Sequence, residues 1–323
     1  MTAKGKSGAS MTSDSENGGG GRAKAGSGTP MNPAMVHANG VDLCVQSFGD
    51  PRAPPIVLIM GLGAQMIAWD DAFCATLAGK GYRVIRFDNR DIGKSSRLDH
   101  LGVPNTLSLM GQAALGRPLK VPYTLRDMAA DTVGLLDALE IERAHIVGAS
   151  MGGAIAQELA IHFPARLVTI TSIMSSTGDP RLPPPTAEAL ALLFATAPKE
   201  RAAFIAHHVK VQRVLRGRGF KEEEAGDADR AARNYDRGIN APGVARQLAA
   251  IFASGNRTTA LGRVTVPALV LHGDADPLVR VEGGRATAAA IKGAKLEVLP
   301  GMGHALPRAV WPRIVDAIAA HTR

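Results

Sequence analysis

Short apolar runs alternate with stretches of helical spacing along most of this chain. Continuous apolar runs of this length, bounded by turn residues, are typical of strands that are covered on both faces. The predicted strands are residues 55–60, 83–87, 144–147, 167–173, 268–271 and 295–299, and the predicted helices are residues 69–77, 124–139, 153–160, 281–291 and 307–320. Strands that alternate with helices predict an α/β protein with a mostly parallel, doubly wound sheet.

Two stretches before the middle of the chain depart from this alternation. Residues 35–48 have the pattern of an opening hairpin, with Asn39-Gly40 as its two-residue turn. Residues 98–123 are rich in glycine and proline, and we predict a long loop there that lines a substrate pocket. Loops of that length inside a compact domain are usually functional or disordered.

A third stretch, residues 176–263, begins with three prolines and then carries helical patterns. We predict that it forms a helical cap over the carboxyl ends of the strands, where ligands bind in sheets of this kind. The predicted organisation is a disordered Gly/Ser-rich tail at 1–34, an α/β core at 35–175 and 264–323, and the cap at 176–263. Met31 or Met35 could be the natural start.

Composition narrows the function classes. The formal charge of +8 lies mostly in the tail and the cap, and aromatic residues make up 4% of the chain, so nucleic-acid binding is not expected. No apolar run approaches the length of a membrane span. Cys44 and Cys74 fall in a strand-like and a helix-like run, which favours buried thiols and a cytoplasmic, reducing location. The oligomeric state is left open.

The most informative motif is residues 148–152, with the sequence GASMG. It follows a predicted strand and precedes a helix of small residues, the context in which a serine is exposed on a sharp turn as a nucleophile. Glycines are needed at such a turn because a Cβ there would collide with the neighbouring strand and helix. We therefore predict Ser150 as the nucleophile.

A serine hydroxyl needs a base, and the base needs an acid that orients it. In this architecture the order along the chain is serine, acid, histidine. His304 follows the last predicted strand and is flanked by a glycine, so we predict it as the base. Asp276 and Asp274 both follow the preceding strand; Asp276 is preferred as the acid because it lies further into the loop, and Asp274 is expected to support the turn.

The remaining histidines have competing explanations. The alternating spacing of His272, Asp274 and Asp276, at every second position, could suggest a metal site. No further cluster of ligand residues accompanies them, so we predict no metal and no cofactor. His145 is expected to be a structural residue inside its strand. His207 and His208 are expected to be an ordinary pair on a helix.

A tetrahedral intermediate also needs two donors for its oxyanion. The backbone N–H of Met151 follows the nucleophile directly. The second donor is predicted to be the N–H of Leu62, between Gly61 and Gly63 and just after the strand at 55–60. The glycines would let the backbone approach the ligand, although they would also suit a simple tight turn.

These motifs together resemble the α/β-hydrolase superfamily, and within it the serine esterases of the aclacinomycin methylesterase-like branch. The resemblance covers about residues 35–322 and is carried by residues 60–63 (MGLG), 87–95 (FDNRDIGKS), 148–153 (GASMGG), 273–277 (GDADP) and 303–307 (GHALP). Two positions depart from the common pattern: Met60 stands where many relatives have histidine, and Asp91 replaces a glycine, as in the methylesterase-like branch. Asp88, Arg90 and Gly93 are expected to hold their loop rather than to react.

The resemblance implies a cofactor-free hydrolase that cleaves small-molecule carboxylic esters through an acyl-enzyme. A C–C bond hydrolase and a cofactor-free perhydrolase use the same triad and stay open as alternatives. Enzymes of this fold that use an aspartate nucleophile are disfavoured by Ser150. From a different class, a ligand receptor on a hydrolase scaffold also stays open.

Overall fold

A computed structural model of the chain describes residues 30–217, 219–220 and 224–323. The predicted tail therefore lies almost wholly outside the described residues. The described residues contain one sheet of eight strands in the order β1-β2-β4-β3-β5-β6-β7-β8. The strands are β1 Ala34–Ala38, β2 Val41–Phe48, β3 Pro55–Ile59, β4 Arg83–Phe87, β5 Ala144–Ala149, β6 Leu167–Ile173, β7 Ala268–Gly273 and β8 Lys295–Leu299.

The sheet is antiparallel at one edge only. β1 pairs with β2 and β2 pairs with β4 in antiparallel register, and all other neighbours are parallel. The opening hairpin turns at Asn39 (φ 49°) and Gly40 (φ 77°), the positive angles that a type I′ turn requires. The predicted hairpin and the predicted, mostly parallel sheet are confirmed.

Helices cover both faces of this sheet. They are α1 Asp71–Ala78, α2 Thr106–Ala114, α3 Leu125–Ala138, α4 Met151–His162, α5 Ala187–Phe194, α6 Arg201–Leu215, α7 Glu224–Arg237, α8 Ala241–Ser254, α9 Thr258–Leu261, α10 Val281–Ala290 and α11 Trp311–His321. Along β3, Val57 and Ile59 join a core with α3 and α4, while Ile56 and Leu58 join a second core with α1 and α11. This alternation follows from the two-residue period of a strand.

The stretch 98–123 was predicted as a loop, and this is wrong over α2. The Asn105 side chain accepts a hydrogen bond from the Ser108 amide at 3.0 Å and so caps the start of α2. Leu109 is buried, but the helix leaves Leu107, Met110 and Leu115 exposed. The sequence did not indicate this helix because glycines and prolines lie on both sides of it and Gly111 lies within it.

Between β6 and β7 the chain carries the helices α5 to α9. α5, α6 and α8 lie where the sequence has helical patterns, at residues 187–194, 202–215 and 244–252, and α7 is an additional helix that the patterns do not indicate. α6 packs against α7, and α8 packs against α2 and α3. Within the described ranges, no helix is long and apolar enough to cross a membrane.

Candidate active site

Ser150 lies between β5 and α4 on a strained turn. Its φ is 56° and its ψ is −119°, a conformation that is rare for a residue with a side chain. The Ser150 amide donates to Ile173 O at 2.9 Å, which ties the turn to the end of the neighbouring strand β6. The turn thereby holds the serine at the carboxyl edge of the sheet.

The glycines around Ser150 are required by close backbone contacts. A Cβ on Gly148 would lie 2.0 Å from Gly152 O, and a Cβ on Gly152 would lie 2.1 Å from Ile59 O. These are the collisions with helix and strand that the motif predicts. A Cβ on Gly61 would lie 3.0 Å from Ser150 Cβ, so the loop after β3 also runs directly beside the serine.

His304 and Asp276 complete a chain of hydrogen bonds with Ser150. The Ser150 hydroxyl lies 2.9 Å from His304 Nε2, and His304 Nδ1 lies 2.7 Å from Asp276 Oδ2. A carboxylate can only accept, so Nδ1 carries the proton and Nε2 is free to accept the serine proton. The structure therefore brings together the three side chains predicted as nucleophile, base and acid.

The two aspartates of the β7 loop have different partners. Asp276 is buried, and its Oδ1 accepts from the Leu278 and Val279 amides at 2.9 and 2.8 Å, which leaves Oδ2 directed at the histidine. Asp274 Oδ1 instead accepts from the Gly301 amide at 2.7 Å. Asp274 thus braces the turn that leads to His304, as expected of a supporting residue.

The buried His272 ring is hydrogen-bonded to a backbone carbonyl. Its Nε2 lies 2.8 Å from Val279 O, so this nitrogen carries the proton and donates to the carbonyl. Burial lowers the pKa of His272, which keeps the ring neutral. In the part of the chain that the structure describes, no group of three or more His, Cys, Asp or Glu side chains could hold a metal ion.

The predicted oxyanion donors belong to two segments that lie next to Ser150, the turn at residues 61–64 and the start of α4. Residues 61–64 form a four-residue turn closed by a 3.3 Å hydrogen bond from the Ala64 amide to Gly61 O, with Gly63 at φ 66°. Among the described residues, neither the Leu62 nor the Met151 amide has a protein acceptor. Both amides are therefore available to a ligand.

The loop after β4 supports this arrangement without touching Ser150. Asp88 accepts from the Met66 amide at 2.7 Å and from the Lys94 amide at 3.0 Å. Arg90 pairs with the buried Asp131. Gly93 has φ 59°, and a Cβ there would lie 2.3 Å from an Asp88 carboxylate oxygen. These contacts agree with the structural roles expected for Asp88, Arg90 and Gly93.

Asp91, the unusual residue of this loop, is joined to α8. Arg246 donates to both Asp91 carboxylate oxygens at 2.6 and 2.9 Å, and both side chains are fully buried. Burial alone would raise the pKa of Asp91, but hydrogen bonds from Arg246, the Leu98 amide and the Tyr123 hydroxyl lower it. Asp91 is therefore a buried carboxylate that is fully paired.

Besides Arg246, sequence reasoning missed two further residues, Asn240 at the start of α8 and Gln247 within it. Asn240 donates to Asp91 O at 2.9 Å, and Gln247 contacts both Gly63 and Arg90. Each partner lies about 150 residues or more away along the chain. Because polar residues on a helix are usually exposed, nothing local in the sequence marks these side chains as buried.

Comparisons with known proteins show the family to which the chain belongs. Residues 54–307 match the alpha/beta hydrolase fold family. Two rhodomycin D methylesterases, DauP of Streptomyces sp. (strain C5) and DnrP of Streptomyces peucetius, are 31% identical to the chain over 314 residues, which cover 91% of the chain and 99% of each relative. The crystal structure of a hydrolase from Pseudomonas aeruginosa PA01 aligns with a TM-score of 0.65 and 26% identity, over 90% of this chain and 98% of that one.

The predicted fold class is thus confirmed on two independent grounds. The family match spans the sheet from β3 to the loop that carries His304, and the aligned structure has the same overall arrangement. The likeness to the two methylesterases extends over nearly their whole length. The chain therefore belongs to the alpha/beta hydrolase fold family.

Proposed function

We propose that the protein hydrolyses carboxylic esters with Ser150 as the nucleophile, His304 as the general base and Asp276 as the orienting acid. The observation that carries this proposal is the continuous chain of hydrogen bonds from Ser150 Oγ through the His304 ring to Asp276 Oδ2. The likeness to two methylesterases supports an ester as the bond that is cleaved.

In the first half-reaction, Ser150 Oγ attacks the ester carbonyl carbon while its proton passes to His304 Nε2. The carbonyl oxygen becomes an oxyanion, which the Leu62 and Met151 amides stabilise. The Asp276 carboxylate accepts a hydrogen bond from His304 Nδ1–H and stabilises the imidazolium that forms. When the tetrahedral intermediate collapses, the imidazolium gives its proton to the departing alcohol, and the acyl group stays on Ser150.

In the second half-reaction, a water molecule attacks the acyl-enzyme. His304 Nε2 takes the water proton, and the same two amides hold the second oxyanion. Collapse of this intermediate breaks the bond between Ser150 Oγ and the acyl carbon, and the imidazolium returns a proton to the serine. The acid product leaves, and the resting hydrogen bonds are restored.

For the substrate we propose a methyl ester of a large carboxylic acid, by likeness to the rhodomycin D methylesterases. We further propose that the helical insertion at 176–263 acts as a cap that selects the acyl group. Its helices join the carboxyl edge of the sheet, because Gln247 and Arg246 of α8 bind the loops after β3 and β4. We also propose a cytoplasmic location, which two buried free thiols, Cys44 and Cys74, support.

The decisive test compares the wild-type protein with Ser150→Ala. Assays use p-nitrophenyl esters of increasing acyl length beside methyl esters of bulky acids, together with mass-spectrometric mapping of a fluorophosphonate adduct. Ser108→Ala is the matched control, because Ser108 lies on α2 and contacts Gln112 rather than His304.

We expect multiple turnovers, an adduct on Ser150, and a loss of kcat of at least about 10³-fold in Ser150→Ala with an unchanged melting temperature. The control should keep full activity. Retention of more than about a tenth of kcat in Ser150→Ala would refute the nucleophile. A burst of one equivalent that then stalls on every ester would favour the ligand receptor instead.

A further inference from the structure

We propose that Gln247, on α8 of the helical insertion, positions the oxyanion loop at residues 61–64. Gln247 would be a positioning residue that never touches the substrate. This inference rests on the proposed function, since it concerns how the amide donors of that reaction are held. Its consequence is that the insertion, besides lying over the strand ends, sets the geometry of the catalytic loop.

The Gln247 side chain bridges two loops at the carboxyl edge of the sheet. Its Oε1 accepts from the Gly63 amide at 2.9 Å, and its Nε2 donates to Arg90 O at 2.9 Å. The amide orientation is fixed by chemistry, because the Gly63 N–H can only donate and the Arg90 carbonyl can only accept. Turning the amide over would break both bonds.

Burial makes these bonds obligatory. Gln247 is fully buried, so water cannot replace either partner. α8 also contacts the loop directly, since a Cβ on Gly63 would lie 3.0 Å from Val244 Cγ2. The loop is thus held between the helix on one side and Ser150 on the other, where Gly61 packs against the serine side chain.

The bond to Gly63 also decides which loop amide is free. Leu62 and Gly63 occupy the two central positions of the turn, and either amide could in principle face an oxyanion. Because Gln247 takes the Gly63 amide, the Leu62 amide is left as the available donor of this turn. The peptide between Leu62 and Gly63 is fixed in one orientation, with Gly63 in the left-handed region.

A second attachment shows that this loop is held from the insertion at more than one point. Gln65 Nε2 donates to Asn234 O at 2.8 Å and to Gly238 O at 2.9 Å. Arg237 Nε in turn donates to Gln65 Oε1 at 2.7 Å. These bonds anchor the far end of the loop on α7, whereas Gln247 acts next to the donor itself. Gln247 is therefore the residue through which the effect on catalysis can be isolated.

The test compares Gln247→Met, which keeps the length of the side chain but removes both the amide acceptor and the amide donor, with Asn240→Ala. Asn240 is the matched control, because it also bonds from the insertion to the β4 loop, at Asp91 O, but does not touch residues 61–64. Gln247→Asn, one methylene shorter, is the second variant if Gln247→Met fails to fold. The melting temperature is measured for each protein.

The readout is inhibition by a pair of ketones that differ only in three fluorines. A trifluoromethyl ketone adds to Ser150 and places a negative oxygen among the amide donors, whereas its methyl ketone parent binds without that charge. We expect Gln247→Met to weaken the trifluoromethyl ketone at least about tenfold more than the parent. We also expect kcat to fall about 10- to 10³-fold while KM changes less than threefold, as for loss of an oxyanion donor.

Asn240→Ala should lower the melting temperature and leave the preference for the trifluoromethyl ketone unchanged. Equal weakening of both ketones in the Gln247 variants, or none, would overturn the inference and leave Gln247 a packing residue. The proposed function would stand in that case, because its own tests are the activity of Ser150→Ala and the number of turnovers on the ester panel. Loss of the preference in Asn240→Ala as well would also refute a specific role for Gln247.

Discussion

Asp274 accepts a hydrogen bond from the Gly301 amide at 2.7 Å, and this bond joins the loop after β7 to the loop after β8. The carboxylate therefore faces the backbone of the histidine loop and not the His304 ring. Asp276, two residues further on, reaches the ring instead. Two aspartates in one short loop thus have separate tasks, one holding the loop and the other orienting the base.

Exchanging each carboxylate for an amide should separate these tasks. Asp276→Asn presents an N–H or a weaker acceptor to His304 Nδ1, which favours the wrong tautomer, and kcat should fall about 10⁴-fold with little change in melting temperature. Asp274→Asn should keep most of kcat and lower the melting temperature. Steady-state kinetics and thermal unfolding of the two variants provide the measurements. A larger loss of kcat in Asp274→Asn than in Asp276→Asn would move the acid role to Asp274.

The backbone contact of Gly152 predicts a large effect from a single methyl group. In Gly152→Ala the new Cβ would lie 2.1 Å from Ile59 O, so β3 or α4 must shift. We expect the free energy of unfolding to fall by about 1–3 kcal/mol and most of the activity to be lost. Gly111→Ala is the matched control, because Gly111 lies in α2 with open space around it.

Alanine is the better helix former, so Gly111→Ala should be neutral or stabilise the protein by up to about 1 kcal/mol. Urea unfolding of both variants provides the measurement. Equal stability of the two variants would contradict the close approach of α4 to β3 at Gly152.

Stability should fall in acid partly because of His145. This residue lies buried on β5 with Nδ1 2.9 Å from Thr169 Oγ1, and burial lowers its pKa to about 4. The unfolded chain, with a histidine pKa of about 6.5, binds the proton more readily than the folded protein. Stability is therefore lost as the pH falls below about 6.5, until the folded form also protonates near pH 4.

In His145→Gln the free energy of unfolding should fall less steeply than in the wild type as the pH is lowered from 6.5 to 4.5. The slope should not vanish, since burial also lowers the pKa of His208, His272 and His321. His100→Gln, at an exposed position, is the control and should keep the wild-type slope. Urea midpoints at several pH values test this, and parallel curves for wild type and His145→Gln would show that His145 contributes nothing.

Metal removal should leave activity unchanged. Asp274 and Asp276 are committed to backbone amides and to His304, and His272 donates to Val279 O. Dialysis against EDTA should therefore preserve kcat/KM on a p-nitrophenyl ester. Loss of activity that a divalent ion restores would revive the metal alternative at these three residues.

Sequence patterns predicted the inner part of the sheet well because strands β3 to β7 are buried on both faces. A fully buried strand needs a continuous apolar run, and such runs are visible without knowledge of the fold. Thr124 and Asp127 form the capping box that starts α3, a purely local signal. α7 was missed because charged residues dominate its sequence and its apolar positions are mostly alanines, which indicate a buried helix face only weakly.

Of the candidate site, the parts next to strand ends could be predicted and the parts on α8 could not. Ser150, Asp276 and His304 each follow a strand, and parallel strands bring their carboxyl ends to one edge of the sheet. Gln247 meets Gly63 across 184 positions of sequence. Its burial depends on how the insertion packs on the sheet, and that packing is decided by contacts that no local pattern encodes.

The Asp91–Arg246 ion pair sets a limit on how this protein can be recombined with its relatives. Removing Arg246 would leave the buried Asp91 carboxylate without its cation, at a cost of about 3–5 kcal/mol. α8 therefore belongs physically to the sheet, even though it is continuous in sequence with the insertion. A chimaera that borrows another enzyme's specificity should end the transplanted segment before Asn240 and keep Ala241–Ser254 from the recipient.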